Sequence, residues 1–344
     1  MKKARVAING FGRIGRTFFR MSYGHPDFEV VAINDLGDIN NLAYLLSYDT
    51  AYGRSPYAVT VKDGSLVVDG RTIACSSERE LTALPWVKED IDIVIEATGV
   101  FTAYEKAQGH IEAGAKRVVI SAPVKDTKEG EGLGKTILMG VNESDLTTCA
   151  ISSNASCTTN ATSPLVAILN EAVGIEKAIL NTVHAYTASQ ALVDGPSKKD
   201  FREGRAAAEN LVPSSTGAAI AVAMVHPSLR DKFDGISIRV PVPVGSIVDI
   251  TFIAKRNTTV EEINEVLTKG ASSDAWKDYF AVTKEPLVST DIIGAEVASI
   301  ADLAFTRVVD GNLVKVLAWY DNETGYTSTL IAHVAKVVSS LHNS

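Results

Sequence analysis

At 344 residues the chain is long enough for two domains of ordinary size, or one large one. Hydrophobic residues make up 46% and charged residues 22%, which excludes a disordered chain; 25 Gly and 11 Pro exclude a collagen-like or low-complexity one. The net charge of −8 argues against nucleic acid as the partner, because polyanion-binding proteins usually carry a basic field.

The N-terminus, MKKARVAINGFGRIG, is basic, but Asn9 and Gly10 interrupt its apolar stretch too early for a signal peptide. Ala4–Asn9 reads as a strand, Gly10–Gly15 as a glycine turn, Arg16–Tyr23 as helical and Phe28–Asn34 as a second buried strand. Ile91–Glu96, Arg117–Ser121 and Thr136–Met139 read as further core strands. Unbroken apolar strands separated by helical segments predict a parallel, doubly wound α/β sheet covered on both faces. The second half differs. A helix is expected from near Cys157 through Glu171, then a strand at Ile179–Tyr186 and a long polar stretch at Thr187–Arg205. Such a stretch in a compact chain is usually functional or disordered. Gly235–Val242, Ser246–Ala254, Ala301–Val308 and Val314–Tyr320 predict a mixed or antiparallel sheet, with helices at Val260–Lys269 and Thr327–Leu341. Residues 126–131 and Lys198–Lys199 read as solvated charged loops. The longest apolar candidates, such as Ala218–Val225, are too short for the ~18 residues of a membrane span, so the reading is a soluble, cytoplasmic protein.

Two local patterns carry chemistry. Gly10-Phe-Gly12-Arg13-Ile14-Gly15 fits G-x-G-x-x-G between a strand and a helix, where glycines let the backbone approach a pyrophosphate and a helix N-terminus supplies donors. Arg13 adds a cation there, and Asp35 closes the second strand 20 residues after Gly15, placed for the adenosine ribose hydroxyls. A carboxylate at that spot repels a 2′-phosphate and favours NAD over NADP. The second pattern is Ser153-Asn-Ala-Ser156-Cys157-Thr158-Thr-Asn160. Cys157 at a helix N-terminus is placed to form a thiolate. Taken alone, a cysteine in such a turn is more often structural. His184 on its strand is a candidate base or a core histidine. Cys75 and Cys149 read as bystander thiols, and His25, His110 and His226 as surface or packing residues. Three widely spaced cysteines suggest neither a disulfide framework nor a structural zinc site, so no metal is expected.

INGFGRIG, ATGVF (Ala97–Phe101), ISAP (Ile120–Pro123), SNASCTTN and WYDNE (Trp319–Glu323) together resemble phosphorylating glyceraldehyde-3-phosphate dehydrogenase, in family order and over essentially the whole chain. The resemblance implies an NAD-binding domain at residues 1–156, a catalytic domain at 157–321 and a C-terminal helix at 322–344 that returns to the first domain. It implies Cys157 as the nucleophile and His184 as its base. Thr187 and Arg239 would hold the substrate phosphate, with Arg202 as an additional anion contact. Ser156, Thr158, Thr216 and Gly217 would hold the attacking phosphate. Beside the glycine turn and Asp35, the resemblance adds Arg79 and Ser121 near the dinucleotide, Asn322 on the nicotinamide carboxamide and Tyr326 near that ring. It implies NAD as cofactor, a homotetramer, and oxidation of glyceraldehyde 3-phosphate; erythrose 4-phosphate is the alternative substrate. Ala161 and Thr324 depart from the family's common Cys and Trp.

Overall fold

The structure, a computed structural model, describes residues 2–124, 133–197 and 200–342. The charged loops expected at 126–131 and Lys198–Lys199 lie outside these. The chain divides into two compact units, one running to Ala155 and taking in the chain from Thr327 onward, the other Ser156–Tyr326.

The first unit holds β1 (Ala4–Asn9), α1 (Arg13–Ser22), β2 (Phe28–Asn34), α2 (Ile39–Ser47), a small ribbon of β3 (Tyr48–Asp49) and β4 (Gly53–Arg54), then β5 (Val59–Lys62), β6 (Ser65–Val68) and β7 (Arg71–Ser76). It continues with β8 (Ile93–Glu96), α3 (Tyr104–Ala107), α4 (Gly109–Glu112), β9 (Arg117–Ile120), β10 (Gly134–Thr136) and β11 (Ile151–Ser153). The sheet order is β10-β11-β9-β8-β1-β2-β7-β6-β5. Strands β10 through β7 along this order run parallel, as expected. Val6, Ile8, Ile33, Ile93, Ile95 and Val118 are buried in it. The chain reverses winding direction at β1, which has β2 on one side and β8 on the other, so a crevice opens at the C-terminal ends of these strands.

The antiparallel strands β5, β6 and β7 were not anticipated. Two-residue turns join them, Asp63-Gly64 and Asp69-Gly70, and all four residues have positive φ. That is the Asp-Gly hairpin signal in its primed form, written plainly in the sequence. The expected strand over Thr136–Met139 stops at Thr136, because the Asn142 side chain accepts from Leu138 N (2.9 Å) in place of a ladder partner.

The second unit begins with α5 (Cys157–Ala172), β12 (Ile175–Ala185), β13 (Val212–Ser215), α6 (Ala218–Val225), β14 (Phe233–Val240) and β15 (Ser246–Ala254). It ends with α7 (Val260–Ala271), β16 (Phe280–Thr283), β17 (Ser299–Asp302), β18 (Arg307–Val309), β19 (Leu313–Tyr320) and the start of α8 (Thr324–His342). The sheet, β13-β14-β12-β15-β19-β17-β16 with β18 on β19, is mixed: β12/β14 and β16/β17 are parallel and the other pairs antiparallel. The single strand expected at Ala301–Val308 is broken by a turn, because the Asp302 side chain accepts from Ala304 N (3.2 Å) and from Trp319 Nε1 (3.1 Å). Among the described residues no helix is long and apolar enough to cross a membrane.

Candidate active site

In the first unit the three fingerprint glycines are needed for three different reasons. Gly10 has φ +94°, and a Cβ there would lie 2.6 Å from Thr98 N. A Cβ on Gly15 would lie 2.2 Å from Gly10 O, so this glycine lets α1 close on the strand end. Gly12 has nothing within 4 Å: its missing side chain leaves open space. That space belongs to a cavity of about 330 Å³ lined by Gly10, Gly12, Asn34, Asp35, Arg79 and Thr98 among others. The Asp35 carboxylate is fixed by Phe11 N (2.7 Å) and Gly37 N (2.8 Å). These residues fit a dinucleotide: a bare backbone approach beside a helix N-terminus, and a rigid carboxylate on the cavity wall. Ile14 stands in the first turn of α1. Arg13 does not stand free for a phosphate; it pairs with Asp49 and covers the Tyr52 ring. Ser121 gives its hydroxyl to Glu96 O (3.1 Å).

Beneath the cavity lies a polar cluster that sequence reasoning missed. The buried Glu96 carboxylate accepts from Asn9 Nδ2 (2.6 Å), His110 Nε2 (3.0 Å), Thr98 N (2.9 Å) and the Thr98 hydroxyl. Trp86 Nε1 donates to His110 Nδ1 (3.1 Å), so the proton of the imidazole sits on Nε2, facing Glu96. His110 is thus a packing residue, as expected, but a polar one.

The turn before α5 positions Cys157. Ala155 takes φ +54°, and the Ser156 hydroxyl caps the helix by accepting from Thr159 N (3.0 Å). Cys157 is therefore the first helical residue. Its Sγ lies 3.4 Å from His184 Nε2. On the sheet His184 of β12 pairs in register with Arg239 of β14, so the guanidinium reaches the imidazole: Nη1 is 2.6 Å from Nδ1. Ala185 O also lies 2.6 Å from Nδ1. A guanidinium only donates and a carbonyl only accepts, so Nδ1 serves one of them at a time. With Nδ1–H given to Ala185 O, the Nε2 lone pair faces the sulfur. Arg239 Nε is buried with no hydrogen-bond partner among the described residues. Burial pushes the Cys157 thiol up, opposed by Arg239 and Thr158. Burial first and the Arg239 charge second push His184 down to about 3.

The other expected residues stand as follows. Thr158 bonds Tyr320. Thr187 bonds the Ser189 hydroxyl (3.0 Å), and the Thr216 hydroxyl accepts from Ala218 N (3.2 Å) next to Gly217, the N-cap of α6. Arg202 is exposed in a short turn and forked onto Asp200, so its charge already has a carboxylate partner. Asn322 Oδ1 accepts from Gly245 N and the Ser246 hydroxyl, both 3.1 Å, and Tyr326 is buried in the first turn of α8. Thr324 N is held by Asp321 Oδ1 (2.9 Å), which caps that helix.

Comparison with known proteins finds two domains of one family. The sequence profile "Glyceraldehyde 3-phosphate dehydrogenase, NAD binding domain" matches residues 4–104, and the C-terminal domain profile of that family matches 156–322. The glyceraldehyde-3-phosphate dehydrogenase of Geobacillus stearothermophilus is 47% identical over 337 residues, 97% of this chain and 98% of that protein. That of Clostridium pasteurianum is 47% identical over 95% of this chain and 96% of its own length; glyceraldehyde-3-phosphate dehydrogenase 1 of Bacillus subtilis is 46% identical over 96% and 98%. The chain belongs to the glyceraldehyde-3-phosphate dehydrogenase family. Its glycine turn and Asp35 fall within the residues that match the NAD binding domain. Cys157, His184 and Arg239 fall within the family's C-terminal domain.

Proposed function

We propose that the chain oxidises glyceraldehyde 3-phosphate and phosphorylates the product to 1,3-bisphosphoglycerate, with the acyl group held on Cys157. The Cys157–His184–Arg239 contact carries this reading. The Cys157 sulfur adds to the aldehyde carbon while its proton passes through His184 Nε2 to the aldehyde oxygen. His184 then takes the hydroxyl proton as the carbon is oxidised, leaving a thioester. NAD, when bound, supplies the hydride acceptor. Inorganic phosphate attacks the thioester carbon, the sulfur leaves, and His184 returns the proton. A thioester is the reason for a cysteine: the oxidised carbon stays reactive to phosphate. Arg239 offers a guanidinium fork for the phosphate ester, and an ester bound there draws Arg239 off Nδ1 and leaves Ala185 O as its partner. The hydroxyls of Ser156, Thr158, Thr187 and Thr216 and the helix end at Gly217 suit phosphates that must bind and leave, with Arg202 the weakest of these assignments because Asp200 holds it. In the first unit Gly10, Gly12, Gly15, Asp35 and Arg79 hold the dinucleotide, with Arg13, Ile14 and Ser121 beside them. Asn322, oriented by Gly245 and Ser246, takes the carboxamide, and Tyr326 packs near it.

The matched relatives are named for glyceraldehyde 3-phosphate, which favours that substrate over erythrose 4-phosphate. We place the protein in the cytoplasm, where its three free thiols stay reduced. We read the protein as a homotetramer; the exposed Ile179, Ile236 and Leu313 on the outer face of the second sheet support self-association. The test is NADH formation at 340 nm from NAD and glyceraldehyde 3-phosphate, with and without inorganic phosphate, for wild type and Cys157→Ser. Phosphate-dependent turnover absent from the variant is expected; wild type that binds NAD but forms no NADH overturns the reading.

A further inference from the structure

Three buried hydroxyls form a chain inside the second unit. Tyr320, at the end of β19, places its Oη 2.9 Å from Thr158 Oγ1 and 2.8 Å from Thr182 Oγ1. Thr182 stands on β12, two residues before His184, and Thr158 is the second residue of α5, directly after Cys157. The edge of the Tyr320 ring meets the His184 ring, with centroids 5.9 Å apart at 72°. A phenylalanine would fill the same space and make the same ring contact. The oxygen therefore has a role of its own.

We propose that Tyr320 is a positioning residue for the phosphate-attack step, its hydroxyl holding the Thr158 side chain so that the Thr158 proton is presented to inorganic phosphate. This rests on the reading of Thr158 as a contact of the attacking phosphate. The direction of the chain follows from proton counting. An unprotonated phosphate oxygen only accepts, so a Thr158 bonded to it must donate. Tyr320 then has to donate to Thr158, and Thr182 to Tyr320. One anion thus orders three protons, and each donor in such a chain polarises the next. Burial raises the Tyr320 phenol, so it keeps its proton throughout.

The test titrates inorganic phosphate in the steady state, at saturating NAD and glyceraldehyde 3-phosphate, for wild type, Tyr320→Phe and Thr182→Val. The NADH burst without phosphate is followed in parallel, since it reports acylation of Cys157 alone. Loss of the neutral hydroxyl–hydroxyl bond that holds Thr158 predicts a phosphate KM raised roughly three- to tenfold in Tyr320→Phe, well beyond any change in the burst. Thr182→Val shifts the phosphate KM in the same direction with the Tyr320 ring and hydroxyl in place, and it carries the test if the Phe variant fails to fold. A phosphate KM within twofold of wild type in both variants overturns the proposal. So does a burst that falls in step with the phosphate response, which marks a merely structural role. Wild type without phosphate-dependent NADH formation instead overturns the proposed function itself.

Discussion

Arg239 and Cys157 owe their roles to different parts of the sequence. Locally Cys157 has a Ser cap, a polar turn and a helix start, a setting in which a cysteine is more often structural; the family resemblance singles it out. Arg239 and His184 are 55 residues apart and meet only because β12 and β14 run parallel in one register, a pairing no spacing argument reveals. Family resemblance supplied the two residues but not their contact. Tyr320 was missed for a similar reason: it stood inside a quoted motif, but its hydroxyl partners lie 138 and 162 residues away. Two substitutions separate the roles. His184→Asn removes the base and keeps a polar side chain, and should lower the NADH burst rate by roughly 10²–10⁴-fold, the usual worth of general base catalysis. An unchanged burst rate would reject His184 as the proton acceptor. Arg239→Gln should raise the KM for glyceraldehyde 3-phosphate by roughly 10–100-fold, the range of a charge-assisted contact, with a smaller effect on the phosphate KM. Equal effects on both would show that Arg239 does not distinguish the two anions.

At the level of elements, the parallel core was legible because its strands are fully apolar, and most expected strands appear within a few residues. The hairpins at β5–β7 were not read, although Asp63-Gly64 and Asp69-Gly70 state them; their strands alternate and are short, so the core pattern does not show them. The fingerprint turn gives a prediction the sequence alone cannot. Gly12→Ala meets nothing within 4 Å in the chain and should leave thermal stability within about 0.5 kcal/mol of wild type, yet weaken NAD binding. Gly15→Ala meets Gly10 O and should destabilise the first unit and NAD binding together. Calorimetric melting beside NAD titration separates the two, and a Gly12→Ala that binds NAD normally would remove the close backbone approach from the account. Helix α8 adds a proton-linked case. His333 is buried between Ser152 Oγ (2.8 Å from Nε2) and Asn154 Oδ1 (3.1 Å from Nδ1). Asn154 Nδ2 in turn donates to Thr329 (3.1 Å), which orients the amide so that Nδ1 carries the imidazole proton. Burial holds His333 down to about 3, whereas the unfolded chain takes up its proton near 6.5. The fold therefore keeps this contribution above pH 6.5 and loses it as pH falls toward 3. His333→Gln should be less stable at pH 7 by roughly 1–3 kcal/mol but lose less on acidification, read as urea midpoints across that range. A slope unchanged by the substitution would mean that other groups drive the acid limb.

For the whole molecule, the second sheet poses the remaining question. Strand β15 alternates strictly: Ser246, Val248, Ile250, Phe252 and Ala254 are buried, while Ile247, Thr251 and Ile253 face the other way and are only half-covered. Ile179 on β12, Ile236 on β14 and Leu313 on β19 share that outer face and are 59%, 52% and 38% exposed. Opposite charges are interspersed on it, as where Lys315 pairs with Asp249. Large apolar side chains gathered on one exposed sheet face point to an interaction surface. The segment after β12 adds further exposed apolar side chains, Leu192, Val193 and Phe201. Composition could not show this, because an apolar residue on an outer sheet face counts the same as one in the core. We expect the outer face to be covered by a second copy of this chain. Ile179→Glu puts a charge at its centre, opposite Thr251 and beside Asp234, without touching Cys157, His184 or the dinucleotide cavity. The substitution should lower the mass measured by light scattering on a sizing column, and the far-ultraviolet circular dichroism should stay that of wild type because Ile179 is not part of the packed core. A variant that keeps the wild-type mass at micromolar concentration would show that the subunits meet elsewhere, and the loop bearing Leu192, Val193 and Phe201 would then be the next surface to charge.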